Sequence, residues 1–284
     1  MSFKTIMVLL NDVTNIQKLL EASSAIARQH DAHVTGLYVL PAAKIYSDIG
    51  MLATPIFFEG YRDYFQSKID VVRRDFEARL KRDGVKSEWR AVDSNYPDVA
   101  EGAISNARCA ELIITSQIGA GSDGSIERDL TERLIMESGR PILIIPRQGH
   151  FAPRGEGIVE KAIVGINGTR ESARAMFDAL PMLKFVKETR VIWVDPYRQG
   201  GVSGEVPGAE EAIVLSRRGL KAVAEPMMTD GRNAGEALLL RANDLGADLL
   251  VMGAYAHSRM REFVFGGATR HVLAHMNIPV LMSH

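Results

Sequence analysis

The sequence predicts an α/β protein built from two tandem copies of one domain, each a five-stranded parallel sheet flanked by helices. Three observations predict it: matched segments recurring in the same order, strand–helix alternation with continuous apolar strands, and a Pro/Gly-rich stretch at mid-chain. The chain has 284 residues, which suits two domains of ordinary size.

Each half opens on a short β-branched apolar run that ends at asparagine, Lys4-Thr-Ile-Met-Val-Leu-Leu-Asn11 and Lys161-Ala-Ile-Val-Gly-Ile-Asn167. Such runs read as buried parallel strands meeting a loop. A helical pattern follows each. Ile16, Leu19, Leu20, Ile26 and Ala27 share a face in the first half, and Ala173, Met176, Phe177 and Leu180 in the second. A second strand closes each unit, Val34 to Leu40 before Pro41 and Arg190 to Asp195 before Pro196.

The strongest repeat is Asp93 to Ser116 against Asp230 to Gly253, equal in length and reading helix then strand. Their ends, Cys109-Ala-Glu-Leu-Ile-Ile-Thr-Ser116 and Gly246-Ala-Asp-Leu-Leu-Val-Met-Gly253, agree in character position by position. A further helix and a proline-led strand finish each half, at Pro141-Ile-Leu-Ile-Ile145 and Pro279-Val-Leu-Met282.

Between the halves, Pro146 to Gly157 lacks apolar periodicity and reads as a linker, giving domains over 1–146 and 158–284. Parallel sheets covered on both faces bind ligands beyond the carboxyl ends of their strands, near a switch in strand order. Site residues are therefore expected around 11, 41 and 116, or around 167, 195 and 253.

Hydrophobic residues make up 46% and charged residues 24%, a globular balance. The net charge of −1 supplies no electrostatic drive toward nucleic acid or a membrane surface. The apolar run Ile6 to Leu10 is too short for a signal-peptide core, and no stretch is long enough to span a bilayer. The single cysteine, Cys109, excludes an internal disulfide and a cysteine-rich metal site, and it reads as a small packed residue at a turn. No cluster of histidine and carboxylates has metal-ligand spacing. A cytoplasmic protein without an intrinsic metal site is the expectation.

The first half is longer between its second strand and Asp93. The extra length holds an apolar and aromatic loop over 45–58, then a charged helical stretch from about Tyr61 to Arg82. Phe57, Phe58, Tyr61, Tyr64 and Phe65 cluster there, readable as a flap over the core or as a ligand lid.

Chemistry concentrates after Gly253. The segment Gly253-Ala-Tyr-Ala256-His257-Ser-Arg259-Met-Arg261-Glu-Phe-Val-Phe-Gly266-Gly267-Ala268-Thr269-Arg270 leads into a helix with Val272, Leu273 and Met276 on its apolar face. Glycines before a helix N-terminus, whose N–H groups are unsatisfied donors, form a phosphate-type site or merely a tight turn. His257 and His271 are equally readable as surface histidines.

The spacing Gly253-x2-Ala256-x9-Gly266-Gly267 resembles the signature of the universal stress protein family, Gly-x2-Gly-x9-Gly followed by Ser or Thr. So do the segments around it, Ala247 to Gly253 and Asn277 to Leu281, and the opening Val164-Gly-Ile-Asn-Gly-Thr-Arg-Glu-Ser-Ala-Arg174. The resemblance implies two tandem Rossmann-like (adenine nucleotide alpha hydrolase-like) domains. It also implies an ATP site, with Mg where the nucleotide brings it, built in the second domain from Asn167, Val194, Gly253, Ala256, His257, Arg259, Gly266, Gly267, Ala268 and Thr269. Three positions depart from the family pattern. Ala256 stands for the second glycine, Gly267 for the Ser/Thr, and Asn167 for the aspartate that contacts adenine in nucleotide-binding members. The first half has Asp129-Leu130 where the second has Gly266-Gly267, with Asp123, Glu127 and Glu132 nearby, and reads as a degenerate copy.

The implied function is a stress-response protein that binds ATP as a regulatory or stabilising ligand. The alternative is a tandem scaffold for protein partners without nucleotide. No catalytic residue is assigned, because the sequence supplies no general base; a slow ATPase is the most it would support. Pairing of domains through their last strands, common in that family, implies a pseudo-dimer within the chain, with homodimerisation through another edge still open.

Overall fold

The computed structural model describes residues 2–42, 56–119, 125–149, 159–196, 206–229, 231–254 and 267–284. Its contacts divide the chain into two compact units, Phe3–Arg140 and Pro141–His284, the latter joined by Met1–Ser2.

The first unit alternates β1 (Thr5–Leu9), α1 (Ile16–His30), β2 (His33–Leu40), α2 (Ile56–Arg82), β3 (Ser87–Asp93), α3 (Val99–Ala107), β4 (Leu112–Ser116) and α4 (Leu130–Glu137). Its strands lie in the order β3-β2-β1-β4, and the three pairings are all parallel. β1 and β4 are almost wholly buried, as β-branched strands covered on both faces must be. The face of α1 expected from its periodicity, Ile16, Leu19, Leu20, Ile26 and Ala27, is buried, and Asp31 ends the helix in a left-handed conformation at φ 48°.

The second unit holds β5 (Ile142–Ile145), β6 (Lys161–Ile166), α5 (Arg170–Asp178), α6 (Leu180–Leu183), β7 (Glu188–Val194), α7 (Ala209–Ser216), β8 (Ala222–Met227), α8 (Ala234–Leu245), β9 (Leu249–Gly253), α9 (Gly267–His275) and β10 (Val280–Ser283). Its order is β5-β10-β9-β6-β7-β8, parallel except that β5 runs antiparallel to β10 through Val280↔Ile144, Leu281↔Leu143 and Met282↔Ile142. The proline-led strand of the first half thus packs with the second unit. All six of these paired side chains are buried, so the ladder leaves neither apolar strand as an open edge.

Two expectations about side-chain direction are corrected. In α5 the buried residues are Glu171, Ser172, Ala175 and Met176, whereas Ala173 is exposed and Phe177 is 45% exposed. The helix stops at Asp178, Pro181 restarts it as α6, and the strand end at Gly253 fixes which side of α5 faces the sheet. Cys109 is exposed in the turn after α3 rather than packed.

The aromatic stretch is part of the core as far as the described residues show it; Phe57 and Phe58 have side chains outside them. Phe65, Val72, Phe76 and Leu80 form a buried stripe along α2. Tyr61 and Tyr64 meet Phe65 edge-on at 5.3 and 5.4 Å, and the Tyr38 hydroxyl donates to the Phe65 carbonyl at 2.9 Å. Trp89 lies between Tyr38 and Phe76, with ring centroids 6.1 and 5.8 Å away. This layer depends on a missing side chain in β2, because a Cβ at Gly36 would stand 2.7 Å from the Phe76 ring.

Gly36→Ala is expected to destabilise the protein by about 1–3 kcal/mol through overpacking, read as a lower urea midpoint. Restoration by the double variant Gly36→Ala/Phe76→Leu would identify the ring as the obstacle.

Candidate functional site

In a parallel sheet each strand end exposes backbone groups once its neighbour has stopped, and the two halves treat these groups differently. In the first unit Asn11 follows β1 and is 1% exposed. Its Oδ1 accepts from the Val39 N–H at 3.0 Å, and its Nδ2 donates to the Val39 carbonyl at 2.7 Å. One carboxamide therefore continues the β1–β2 ladder by a further step and uses up both groups of Val39.

Asn167 holds the matching place after β6 but turns the other way. Its Oδ1 accepts from the Thr169 hydroxyl at 2.8 Å and from the Thr169 N–H at 3.3 Å. Thr169 in turn caps α5, its hydroxyl accepting from the Ser172 N–H at 3.4 Å. The β6–β7 ladder ends at Ile166↔Trp193, one step before Val194. With its oxygen committed to the cap, Asn167 can offer a ligand an amide donor, the opposite polarity to an aspartate.

The remaining expected residues divide into three groups. Gly253 ends β9, and a Cβ there would stand 2.4 Å from the Ser172 nitrogen and 2.5 Å from the Glu171 carbonyl carbon. Its missing side chain admits the first turn of α5. Gly267, Ala268 and Thr269 open α9 beside the start of α8: a Cβ at Gly267 would lie 3.0 Å from Asn233 Nδ2, and one at Gly235 would lie 2.4 Å from the Ala268 carbonyl. Asn233 caps α8, accepting from the Gly235 N–H at 2.8 Å. Two helix N-termini therefore begin side by side, and Thr269 is enclosed at 3% exposure. Ala256, His257, Arg259 and Gly266 lie outside the described residues.

Two residues at this end of the sheet were given no role by the sequence, although it placed Asp195 at a strand end. Asp195 adopts φ 48° just after β7, and its carboxylate accepts from the Thr229 N–H at 2.9 Å and the Thr229 hydroxyl at 2.5 Å. It pins the end of β8 to the end of β7; the Asp-Pro pair at 195–196 was the available signal. Trp193 lies against the loop after β6, its ring 3.2 Å from where a Gly168 Cβ would be, and its buried Nε1 has no hydrogen-bond partner among the described residues.

The matching end of the first unit is acidic and closed by its own side chains. Arg62 of α2 donates to the Pro41 carbonyl at 3.2 Å and to both Asp93 oxygens at 2.8 and 2.6 Å, bridging the ends of β2 and β3. Asp98 caps α3, accepting from the Glu101 N–H at 3.0 Å. Glu127 accepts from the Ala100 N–H at 2.5 Å, while its buried Oε2 has no partner among the described residues. Glu127 thus serves the first turn of α3, although its sequence position pointed to α4. Arg133 joins the cluster through Asp98 at 3.1 Å and Glu101 at 2.9 Å. Burial raises the Glu127 carboxyl above the usual range, and the charges of Asp98 and Asp129 raise it further. Burial also raises the Tyr61 hydroxyl, with Glu127 and Asp98 adding to the effect. Among the described residues no group of three or more His, Cys, Asp or Glu is placed to hold a metal ion.

Residues 159–284, the segment that carries Asn167 and the α8–α9 junction, match the family model described as the universal stress protein family. The chain is also 30% identical over 156 residues to a universal stress protein of Synechocystis. Residues 159–284 thus resemble the universal stress protein family. That alignment covers 53% of this chain and 49% of the relative, so the chain spans about half the length of the curated relative it matches. A universal stress protein of Archaeoglobus fulgidus has a similar fold, with a TM-score of 0.72 and 16% identity over 98% of this chain and 95% of that one. A functionally unknown protein of Pseudomonas aeruginosa is similar at a TM-score of 0.62 and 14% identity, covering 99% of this chain and 92% of that one. At these identities the likeness establishes the fold alone, an α/β fold with a mostly parallel sheet flanked by helices.

The raised Glu127 carboxyl sets a sign for stability. Its charged form costs free energy in the fold; the cost is absent below the ordinary glutamate range and grows as pH rises through the raised value. Glu127→Gln keeps an acceptor for the Ala100 N–H and removes the charge. We expect it to raise the melting temperature at pH 7 and leave it unchanged near pH 4, measured by a pH series of thermal unfolding.

Proposed function

We propose that the second half, 158–284, binds ATP as a regulatory or stabilising ligand, and that the first half, 1–146, is a copy whose equivalent site is closed. The single observation that carries this reading is the contrast between the two asparagines. Asn11 satisfies both backbone groups of Val39, whereas Asn167 is drawn into the cap of α5 and the β6–β7 ladder stops short of Val194. An adenine edge needs such backbone and amide groups, and the first unit has none left at the matching place. Paired helix starts at Asn233–Gly235 and Gly267–Thr269 suit phosphate oxygens, and the glycine spacing supports the same assignment. In the first half, carboxylates occupy the helix start and would repel a phosphate.

Binding without turnover follows from the residues, since Asn167, Val194 and the glycines provide contacts but no general base. Such a ligand acts by differential affinity: it stabilises the conformation that binds it, by about 2.7 kcal/mol at 100 times its Kd. We read the antiparallel β5–β10 ladder as the intrachain form of pairing through last strands, which makes the chain a pseudo-dimer.

Calorimetric titration of Mg-ATP into full-length, nucleotide-free protein is expected to give saturable binding accompanied by a higher melting temperature. Gly266→Asp, which installs the first half's residue at the matching position, should abolish binding while leaving the melting temperature of the unliganded protein intact. Gly267→Ser supplies a hydroxyl where the family carries one and should tighten binding. Folded protein that takes up no nucleotide, or a Gly266→Asp variant that binds normally, would overturn the assignment.

A further inference from the structure

The outer surface of α9 carries a feature that the nucleotide reading does not use. His271 and His275 are one helical turn apart, so their side chains rise from the same face. Their ring centroids are 4.3 Å apart with the planes inclined at 26°. His275 is exposed and His271 half-buried.

The hydrogen bonding of this pair assigns its chemistry. His275 Nδ1 lies 2.9 Å from the His271 carbonyl oxygen. A carbonyl only accepts, so Nδ1 carries the proton and Nε2 keeps its lone pair for a ligand. Metal-binding histidines are held in this way, with the second ring nitrogen donating to a backbone carbonyl that fixes tautomer and ring direction. Two imidazoles at i and i+4 on one helix face are also a recurring chelating pair. A metal–nitrogen bond of about 2.0–2.1 Å to each ring requires the two donor nitrogens to converge on one point. With His275 held by its carbonyl bond, the adjacent His271 ring adjusts toward that point by rotation about its own χ2, a soft torsion in histidine.

We propose that His271 and His275 form a two-histidine site for a divalent transition-metal ion that favours imidazole, Cu(II) ahead of Zn(II), with water completing the coordination. The order follows the general affinity series for nitrogen ligands. The site is bidentate, since no cluster of three or more ligating residues exists among the described residues. It is independent of the nucleotide assignment, which uses the first turn of α9 and the strand ends.

The test uses untagged full-length protein, stripped with chelator and titrated with Cu(II), then with Zn(II), by calorimetry and by electron paramagnetic resonance for copper. The expected result is one saturable event, a copper spectrum with splitting from two nitrogens, and a melting temperature raised by the metal. His271→Ala and His275→Ala should each lose the event and the thermal shift, whereas His33→Ala, a distant half-buried histidine, should retain both. Circular dichroism of the two variants checks that α9 persists, and His275→Gln repeats the test with a helix-compatible side chain. Absence of saturable binding would overturn the proposal. So would binding that survives both the His271 and His275 substitutions, because the ion would then sit elsewhere.

Discussion

Where a parallel strand outruns its neighbour, the backbone N–H and C=O at its end must find partners, and the carboxyl end of each sheet is arranged by how that is done. Asn11 meets the need with one side chain, placing a carboxamide against Val39 as though it were another residue of β1. The resulting closure is buried, and it occupies both backbone groups of Val39. In the second unit the corresponding side chain belongs to the next helix. Asn167 supports Thr169 and Thr169 caps α5, so the Asn167 carboxamide oxygen is not placed against Val194 as that of Asn11 is against Val39.

The rest of the first unit conforms to that closure. The long α2 buries Phe65, Val72, Phe76 and Leu80, and its start brings Arg62 to the ends of β2 and β3. Glu127 and Asp98 supply carboxylates to the first turn of α3, where an open site would present its donors to an anion. Leaving the Glu127 charge half-satisfied in a buried place is a cost that a ligand-binding surface with solvent access would not carry. The two units thus share strand order around β2-β1-β4 and β7-β6-β9 but differ in who occupies the strand ends.

Glycine shows most clearly how one residue type serves unrelated needs. Gly36 admits the Phe76 ring, Gly253 admits the first turn of α5, and Gly235 admits the Ala268 carbonyl. Only the last of these touches the helix start proposed to hold phosphate. Read along the chain, Gly253 belongs to a nucleotide signature; in space it is a packing residue that also ends the strand next to the site. The two roles are compatible, since a helix drawn close to β9 brings its N-terminal donors with it.

The sequence by itself determined the class of fold and placed the buried strands, because burial on both faces imposes continuous apolar runs, but it passed over the less buried outer strands Ser87–Asp93 and Ala222–Met227. It also marked α1 correctly, where every periodic residue is buried. It did not determine the facing of α5, the exposure of Cys109, or the service of Glu127 to α3, since each depends on an element distant in sequence that comes to rest against it. Above all it could not separate Asn11 from Asn167. The two are the same residue at the same place in the repeat, and only tertiary structure decides their roles, because a short amide side chain takes whichever backbone groups the neighbouring strand and helix bring within reach.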